Sequence, residues 1–499
     1  MKKSRKLMSI LLVVAMLFTL VSPAMAEGET TEKVAITVSD DRTYEVYQIF
    51  TGDLHGVKLS NVVWGKNGTG DEGKAVSQEI LNELAAKKDS TSDIEKLEVI
   101  EKYVNLSNPF GTVSYNESLD VPAGYYLLKD VTQNVTDGQE LSTFVVKIVG
   151  DVTITPKVGE VTSQKKVKDT NDSVANSTTD TDWQDSADHD ITDEVQFQLT
   201  GKVTAKYDNY EKYYFAFHDK QSDGLTFKPG TVEVYVDGVK IDSGYDVITE
   251  GLNDDCTFEV VFANLKNIEA VKASSVITVE YKSILNNKAK HGSEGNPNVM
   301  YLEYSNNPNW DGTGEEPTGK TPEDKVIVFT YQTVINKVDE KGNALTGAEF
   351  TLEKSVNGNW EDVDVVTNTE GTTFTFKGLD DGLYRLRETK TPDGYNTIED
   401  IYFEITAAHA ADSQNPTLTD LGVIEKVKNI TGDLENGEVA AFAATCTAGT
   451  GTIESNVENK SGATLPETGG MGTTIFYVVG GALVLGAAVL LVSRCGMAE

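Results

Sequence analysis

The sequence predicts a mainly β protein built of tandem immunoglobulin-like β-sandwich domains, with a mixed α+β domain at the N-terminus. Short runs of alternating apolar and polar residues, rich in Val, Ile, Thr, Tyr and Phe, recur along the chain between Asp-Gly and Asn-Gly turns. Residues 74–104 instead carry apolar side chains at helical spacing. The length of 499 residues exceeds what one compact core usually holds, so we expect several domains.

The charge balance excludes nucleic acid as a partner. The chain has 43 Lys and Arg against 78 Asp and Glu, a formal net charge of −35. Such a surface repels phosphate backbones and anionic lipid headgroups. Hydrophobic residues make up 39% of the chain, enough to fill several small cores, so the acidity does not indicate general disorder.

The reactive residue types form no recognisable catalytic or metal-binding motif. Cys256, Cys446 and Cys495 lie in no spacing that would hold zinc together with His, and the five His are scattered. The Asp-rich stretch 169–190 lacks the Gly and the terminal Glu of a calcium loop. The sequence also has no nucleophile elbow and no phosphate-binding Gly-rich loop. We therefore expect no metal, no cofactor and no enzyme activity on other molecules.

The N-terminus predicts export. A basic start is followed by the apolar run 7–20 and by an A-x-A cleavage sequence that ends at Ala26. Residues 1–26 are therefore predicted to be a signal peptide, cleaved between Ala26 and Glu27.

The C-terminus carries a short motif followed by an apolar run. Residues 475–493 form an apolar run long enough to cross a bilayer as a helix. Before this run stands the motif Leu465-Pro466-Glu467-Thr468-Gly469. With this motif, the segment 463–499 resembles the cell-wall sorting signal of Gram-positive bacteria. That resemblance implies attachment to a cell wall, in which a sortase cysteine attacks the Thr468–Gly469 bond and holds Thr468 as a thioester until an amine takes it.

Composition predicts the domain boundaries between the signal peptide and the sorting signal. A polar insertion at 169–190 follows the end of a first domain, which we assign to residues 27–158. A second break, rich in Pro, Gly and Asn, closes a central domain at 159–324. The third domain then spans 325–462.

Three segments of the third domain carry a family pattern. They read INKVD at 335–339, LTGAEF at 345–350 and YRLRETKTPDGY at 384–395. Together they resemble the collagen-adhesin B-type immunoglobulin-like domain, and the pattern includes what is called the E-box in pilins. The resemblance implies an intramolecular isopeptide bond between a Lys on the first strand and an Asn on the last strand, assisted by the E-box Glu.

Lys337, Asn459 and Glu388 are the candidates for that bond. Strand alternation places Lys337 on the same face as Ile335, so its amine would be buried, and desolvation favours the neutral, nucleophilic form. Burial would also keep Glu388 protonated and able to polarise the Asn carbonyl. Asn459 is preferred because a bond from first strand to last would carry tension directly; Asn429 is the alternative.

The second domain offers the same residue types and is similar to the central domain of major pilins. Lys165 on an early strand, Asn298 on a late strand and Asp219 as the acid are the candidates for a second isopeptide bond. Strand alternation puts both Lys165 and Asn298 in phase with apolar neighbours. The alternatives are Lys166, Asn306 and Glu194.

Lys157 is the candidate amine for joining one subunit to the next. The sequence TITPKV at 153–158 resembles the pilin motif, usually Tyr-Pro-Lys-Asn, in which the Lys amine resolves the sortase thioester of another subunit. Here Thr155 replaces the Tyr and Val158 replaces the Asn. Residues 44–53 also resemble the N-terminal domain of such subunits.

The function implied by these resemblances is structural, as the shaft subunit of a covalent pilus on the cell surface. The expected partners are a class C sortase, a housekeeping sortase, other pilin subunits including tip or base pilins, peptidoglycan and a host surface. The alternative is a monomeric wall-anchored adhesin that binds a host ligand, which would have no use for Lys157. A base or tip pilin would require a different size or an additional ligand-binding domain.

Overall fold

A computed structural model describes residues 33–56, 58–86, 93–155, 159–173, 183–310, 312–363, 366–439, 442–462 and 478–485. Within these ranges the chain is mainly β, arranged in six sheets. The fold class expected from the sequence is confirmed.

The first group of elements forms two sheets with two helices. A three-stranded sheet has the order β5-β1-β8, and a five-stranded sheet has the order β3-β2-β6-β7 with β4 paired to β2. The helices lie where the apolar spacing predicted them, and Leu84, Val99 and Ile100 pack into a core with Phe50 and Trp64. The elements are β1 Lys33–Val38, β2 Thr43–His55, β3 Lys58–Trp64, α1 Gln78–Ala86, α2 Asp93–Glu101, β4 Gly111–Ser114, β5 Ser118–Pro122, β6 Gly124–Asp130, β7 Thr143–Ile148 and β8 Val152–Ile154.

The central group of elements is a sandwich of two sheets. One has the order β14-β13-β17-β11-β9; the other has the order β10-β20-β18-β12-β16-β15, with β19 paired to β18. The strands are β9 Thr162–Val167, β10 Ser186–Asp188, β11 Glu194–Lys202, β12 Phe215–Gln221, β13 Leu225–Val236, β14 Val239–Ile241, β15 Asp246–Ile248, β16 Phe258–Phe262, β17 Val276–Leu285, β18 Asn296–Ser305, β19 Thr318–Lys320 and β20 Asp324–Phe329.

The third group of elements is a second sandwich. Its sheets have the orders β24-β25-β21-β31-β30 and β23-β22-β26-β27-β28-β29. The first and last strands, β21 and β31, pair in parallel. The strands are β21 Tyr331–Asp339, β22 Glu349–Val356, β23 Asn359–Asp362, β24 Val366–Thr369, β25 Thr373–Leu379, β26 Gly382–Lys390, β27 Ile401–His409, β28 Leu418–Lys428, β29 Leu434–Asn436, β30 Thr445–Thr447 and β31 Thr452–Asn459.

Strand β20 connects the two sandwiches. It hydrogen-bonds to β18 in the central sheet, although the sequence assigned residues from 325 onward to the third domain. Val326 and Val328 belong to the central core, whereas Ile327 and Phe329 belong to the core of the third group. Because side chains alternate along a strand, this single strand contributes to both cores, and no sharp boundary exists there.

Buried polar contacts also join the groups. Between the first and second, the Glu140 carboxylate accepts hydrogen bonds from Thr204 Oγ1 at 2.6 Å and from the Tyr210 hydroxyl at 3.0 Å. Between the second and third, the buried Lys354 ammonium pairs with Asp172 at 2.7 Å, with Asp380 at 3.1 Å and with Asp190. Part of the polar insertion predicted at 169–190 therefore lies in the interface between the second and third groups.

Residues 478–485 are helical. No helix among the described residues is both long and apolar enough to span a membrane. Most of the apolar run predicted at 475–493 lies outside the described residues.

Candidate functional site

The parallel pair β21 and β31 brings the predicted Lys and Asn of the third domain into one core. Lys337 lies opposite Val457 in the register, and Asp339 lies opposite Asn459. Lys337 and Asn459 are both fully buried. The Lys337 ammonium donates to the carbonyl oxygens of Val457 at 2.7 Å and Val338 at 3.3 Å. The amine therefore lies beside the last strand, next to the backbone that leads to Asn459.

Glu388, on β26 of the facing sheet, completes this group. Asn459 Nδ2 donates to Glu388 Oε2 at 3.1 Å and to the Asn396 carbonyl at 2.8 Å. The same Glu388 oxygen accepts from Thr391 Oγ1 at 3.1 Å and from the Ile398 amide at 3.2 Å. Glu388 Oε1 and Asn459 Oδ1 are buried with no hydrogen-bond partner in the part of the chain that the structure describes. The carboxyl group is thus held against the side chain that would be attacked.

Burial also adjusts the reactivity of the lysine. Desolvation lowers the pKa of Lys337 to about 8, although the nearby Glu388 carboxylate partly opposes this shift. An amine with this pKa is neutral in roughly a tenth of molecules at pH 7, far more than an exposed lysine. Lys337 therefore has a usable population of the nucleophilic form.

A second group lies between the sheets of the central sandwich. Lys165 on β9 projects from one sheet, and Asp219 on β12 and Asn298 on β18 project from the other; all three are fully buried. The Lys165 ammonium donates to Asp219 Oδ2 and, at 3.0 Å, to the Tyr281 hydroxyl. Asn298 Nδ2 also donates to that hydroxyl, at 2.8 Å, and the hydroxyl donates to Asp219 Oδ2 at 2.8 Å. Tyr281 therefore connects all three predicted residues.

The low-polarity surroundings favour the neutral forms of this second group. Burial lowers the pKa of Lys165 and raises the pKa of Asp219, and in each case the attraction between the two groups only partly opposes the shift. The rings of Phe197 and Tyr281 flank the Lys165 amine at 5.5 Å each. A neutral amine beside a protonated carboxyl group is the pairing that nucleophilic attack on an amide requires.

The alternative residues lie elsewhere. Lys166 points away from the core and pairs with Asp185 at 2.6 Å. Glu194 is exposed and pairs with Lys228 and Lys282. The alternatives named for the two Asn positions are also outside these groups: Asn306 contributes its backbone carbonyl to Leu141, and the Asn429 side chain closes a surface turn. The structure brings together the preferred residues of each domain.

The first domain has a different buried ion pair. Arg42 donates to Asp130 at 2.8 Å, and no Lys is buried among the described residues of this domain. Those residues therefore hold no Lys and Asn pair of the kind found in the other two cores.

The residues predicted to form the intermolecular link lie outside the described residues. They are Lys157, the motif Leu465-Pro466-Glu467-Thr468-Gly469, and the signal cleavage site at Ala26 and Glu27. On either side of Lys157, Thr155 follows the last strand of the first group, and Gly159 packs against Glu140 in the interface with the second.

Two segments of the chain match known protein families, and a longer region matches a streptococcal surface protein. Residues 332–417 match SpaA, a prealbumin-like fold domain, and residues 457–494 match the LPXTG cell wall anchor motif. The trypsin-resistant surface T6 protein of Streptococcus pyogenes serotype M6 is 28% identical over 323 residues, which cover 54% of this chain and 58% of that protein. The matched region thus spans little more than half the length of this relative.

The fold is similar to that of a solved backbone pilin. The T6 backbone pilin of S. pyogenes serotype M6, described as a modular three-domain structure, superposes with a TM-score of 0.51 at 19% identity and covers 88% of this chain and 100% of that one. The full-length major pilin SpaD of Corynebacterium diphtheriae gives a TM-score of 0.47 at 16% identity, with coverage of 88% and 100%. This chain shares the fold of the T6 backbone pilin and carries a match to the cell wall anchor motif. It is a wall-anchored surface protein.

Within this backbone-pilin fold, sequence reasoning missed two kinds of residue. Nothing in the sequence marks Tyr281 as functional, because it occupies an ordinary inward-facing position of an alternating strand. The ion-pair group around Lys354 draws on carboxylates from two domains, and only the unusual density of Asp at 169–190 pointed toward it.

Proposed function

We propose that this protein is the shaft subunit of a covalent surface pilus, in which a sortase joins Thr468 of one subunit to Lys157 of the next. The observation that carries the proposal is the combination of a backbone-pilin fold with a sorting motif at the C-terminus. The T6 protein, 28% identical over the matched region, is described as a backbone pilin, which supports the same role for this chain. A head-to-tail link between different surfaces does not close on itself, so it generates a fibre.

The link joins two reacting groups: the Thr468 acyl group of one subunit and the Lys157 amine of the next. The sortase cysteine breaks the Thr468–Gly469 peptide bond and retains the Thr468 acyl group as a thioester. The neutral amine of Lys157 then attacks that carbonyl carbon, forms an amide bond and releases the cysteine. A class C sortase would catalyse this step, and a housekeeping sortase would transfer the last subunit to peptidoglycan. Tip or base pilins and a host surface would be further partners.

Two internal isopeptide bonds would stabilise each subunit. In the third domain the neutral Lys337 amine attacks Cγ of Asn459, the new bond joins Nζ to Cγ, and Nδ2 leaves as ammonia. Glu388 lies within hydrogen-bond distance of the departing nitrogen and would carry the proton to it. In the second domain Lys165, Asn298 and Asp219 would react in the same way, with Tyr281 holding the amine and the amide.

Such bonds would replace disulfides in this exported protein. The two cysteines in the described residues, Cys256 and Cys446, are both free. An internal crosslink restricts the unfolded chain as a disulfide does, and an amide bond is not reduced.

The first experiment is the intact mass of the mature chain, residues 27–468. Each isopeptide bond removes one ammonia, about 17 Da, from the mass calculated from the sequence. We expect a loss of two ammonias, reduced to one in Lys337→Ala and in Lys165→Ala. No loss at all would refute both internal bonds while leaving the polymer link to be tested separately.

The polymer link is tested in a host that carries the pilin sortase. Wall extracts of the wild type should contain a ladder of covalent multimers, and mass spectrometry should find Thr468 joined to Lys157. Lys157→Ala should remove the ladder but leave monomer on the wall, whereas Thr468→Ala should remove both. Monomer alone in the wild type would favour the wall-anchored adhesin instead.

A further inference from the structure

A cluster of side chains that the pilus proposal does not use lies on the outer face of the central sandwich. His218 follows strand alternation opposite to Asp219, so its ring lies on the outer face while Asp219 points inward. In the sheet, His218 lies directly opposite Glu259 on β16 and Tyr301 on β18. Its ring stacks on Tyr301 with centroids 4.4 Å apart and planes at 9°. The imidazole is therefore fixed by two strands and one aromatic face.

Three side chains with metal-ligating atoms converge at this ring. His218 Nδ1 lies 2.9 Å from Asp254 Oδ2, and the Cys256 thiol lies 3.1 Å from the same Asp254 oxygen. The ligand atoms of His218, Asp254 and Cys256 all lie within 4.8 Å of one another. Glu259 Oε1 lies beside them, 3.3 Å from His218 Nδ1. Three ligand atoms this close together can be bridged by one metal ion with bonds of about 2.0–2.3 Å.

Surrounding residues orient the donors. The other ring nitrogen, His218 Nε2, lies 3.2 Å from Glu303 Oε2, and among the described residues it is buried without a hydrogen-bond partner. Tyr301 donates its hydroxyl to Asp254 at 2.7 Å. A carboxylate on the far nitrogen of a histidine is the usual second partner of a metal-bound imidazole.

The cluster is also rich in negative charge. His218 is 5% exposed and faces the carboxylates of Asp254, Glu259 and Glu303. The ammonium of Lys320 lies nearby, but it donates to the Tyr301 hydroxyl at 3.3 Å. Three carboxylates around one imidazole make the cluster attractive to a cation.

We propose that His218, Asp254 and Cys256 form a binding site for a zinc-class divalent metal ion. One imidazole nitrogen, one thiolate and one carboxylate oxygen make a three-ligand donor set that leaves the fourth position of a tetrahedral ion to solvent. This mixture of donors suits zinc and disfavours calcium and magnesium, which take oxygen ligands. A pocket of about 140 Å³ beside His218, Asp254 and Cys256 gives access from solvent. The ion would tie the loop that carries Asp254 and Cys256 to the central sheet.

The site escaped sequence reasoning because its ligands form no compact motif. His218 lies on β12, Asp254 and Cys256 precede β16, and the two segments meet only when these strands pair. None of the three ligands takes part in the proposed isopeptide bonds or in the link between subunits, so failure of either of those proposals leaves the metal site standing.

The test uses the mature chain, residues 27–468, in metal-free buffer with a reductant that does not bind metals. Titration calorimetry with zinc chloride should show a site that binds at micromolar concentration or tighter. Cys256→Ser and Asp254→Asn should each weaken it by at least about tenfold. Cys446→Ser, which changes the other half-buried thiol, is the matched control and should bind as the wild type does. Millimolar calcium should not compete.

Cobalt(II) gives a second readout that is specific for the thiol. The wild type and Cys446→Ser should show a near-ultraviolet band from charge transfer between sulfur and metal, and Cys256→Ser should lack it. Zinc should also slow alkylation of Cys256 but not of Cys446. Zinc binding unchanged in Cys256→Ser and His218→Gln, or cobalt binding without the sulfur band, would overturn the proposal.

Discussion

Glu388→Gln separates the proposed isopeptide chemistry of the third domain from its packing. The substitution keeps the size of the side chain and an oxygen that can accept hydrogen bonds, but removes the group that would transfer the proton to the leaving nitrogen. Lys337 and Asn459 remain in place, so the domain should fold and stay uncrosslinked. We expect the mature chain to lose one ammonia rather than two.

The size of the stability change follows from the loop that the bond closes. Positions 337 and 459 are 122 apart in the sequence. The chain-entropy relation used for crosslinks gives about 5 kcal/mol at 25 °C for a loop of this length. For a domain of about 130 residues, that corresponds to a fall of roughly 15–20 °C in the melting temperature of the third domain.

The assay pairs intact mass with differential scanning calorimetry on the same samples. Glu454→Gln, an exposed substitution on β31, is the control and should keep both the ammonia losses and the wild-type transition. Circular dichroism should confirm that Glu388→Gln keeps its strand content. A variant with two ammonias lost, or one with a single loss but an unchanged transition, would refute the reasoning.

Three further changes test other parts of the structure. Tyr281→Phe removes the hydroxyl that holds Lys165 and Asn298, and should slow bond formation in the second domain by about tenfold or more, seen as incomplete ammonia loss in freshly made protein. Lys354→Met leaves the carboxylates between the second and third domains without their cation and should destabilise the protein by about 3–5 kcal/mol in denaturant unfolding; a change below 1 kcal/mol would contradict the buried ion pair. Burial, together with neighbouring aspartates, raises the pKa of Asp381 to about 7, above its value of about 4 in the unfolded chain. The folded state therefore binds this proton more tightly, and stability should fall as pH rises from about 4 to 7. Asp381→Asn should reduce that fall and melt higher than the wild type at pH 7.5; a wild-type melting temperature that rises with pH over this range would show the sign to be wrong.

Local sequence patterns predicted most of the strands and both helices of the first domain. Alternation of apolar residues predicted the strands, and helical spacing predicted α1 and α2, because one buried face imposes its period directly on the sequence. The same alternation placed Lys165 and Lys337 inward, and both are fully buried. Burial of a lysine is visible in the sequence as long as the strand around it alternates regularly.

Contacts between segments far apart in the chain could not be predicted from the sequence. Strand β20 hydrogen-bonds within the central sheet but contributes alternate side chains to two cores, so composition could not locate a boundary that the strand itself crosses. Arg42 and Asp130 pair across 88 positions, and Lys354 meets carboxylates from two domains. Nothing in the local sequence specifies which opposite charges will meet.

The mainly β class and the wall-anchor motif were readable from the sequence alone, because they depend on a local period and on a short motif. The predicted export signal and the residue types proposed for crosslinks rest on the same kind of local pattern. The contacts between distant residues emerged only on folding: Tyr281 meets Lys165, Asp219 and Asn298, and the donors gather around His218. Strand pairing and sheet packing bring together side chains far apart in the chain, and their register depends on the whole core rather than on any one segment.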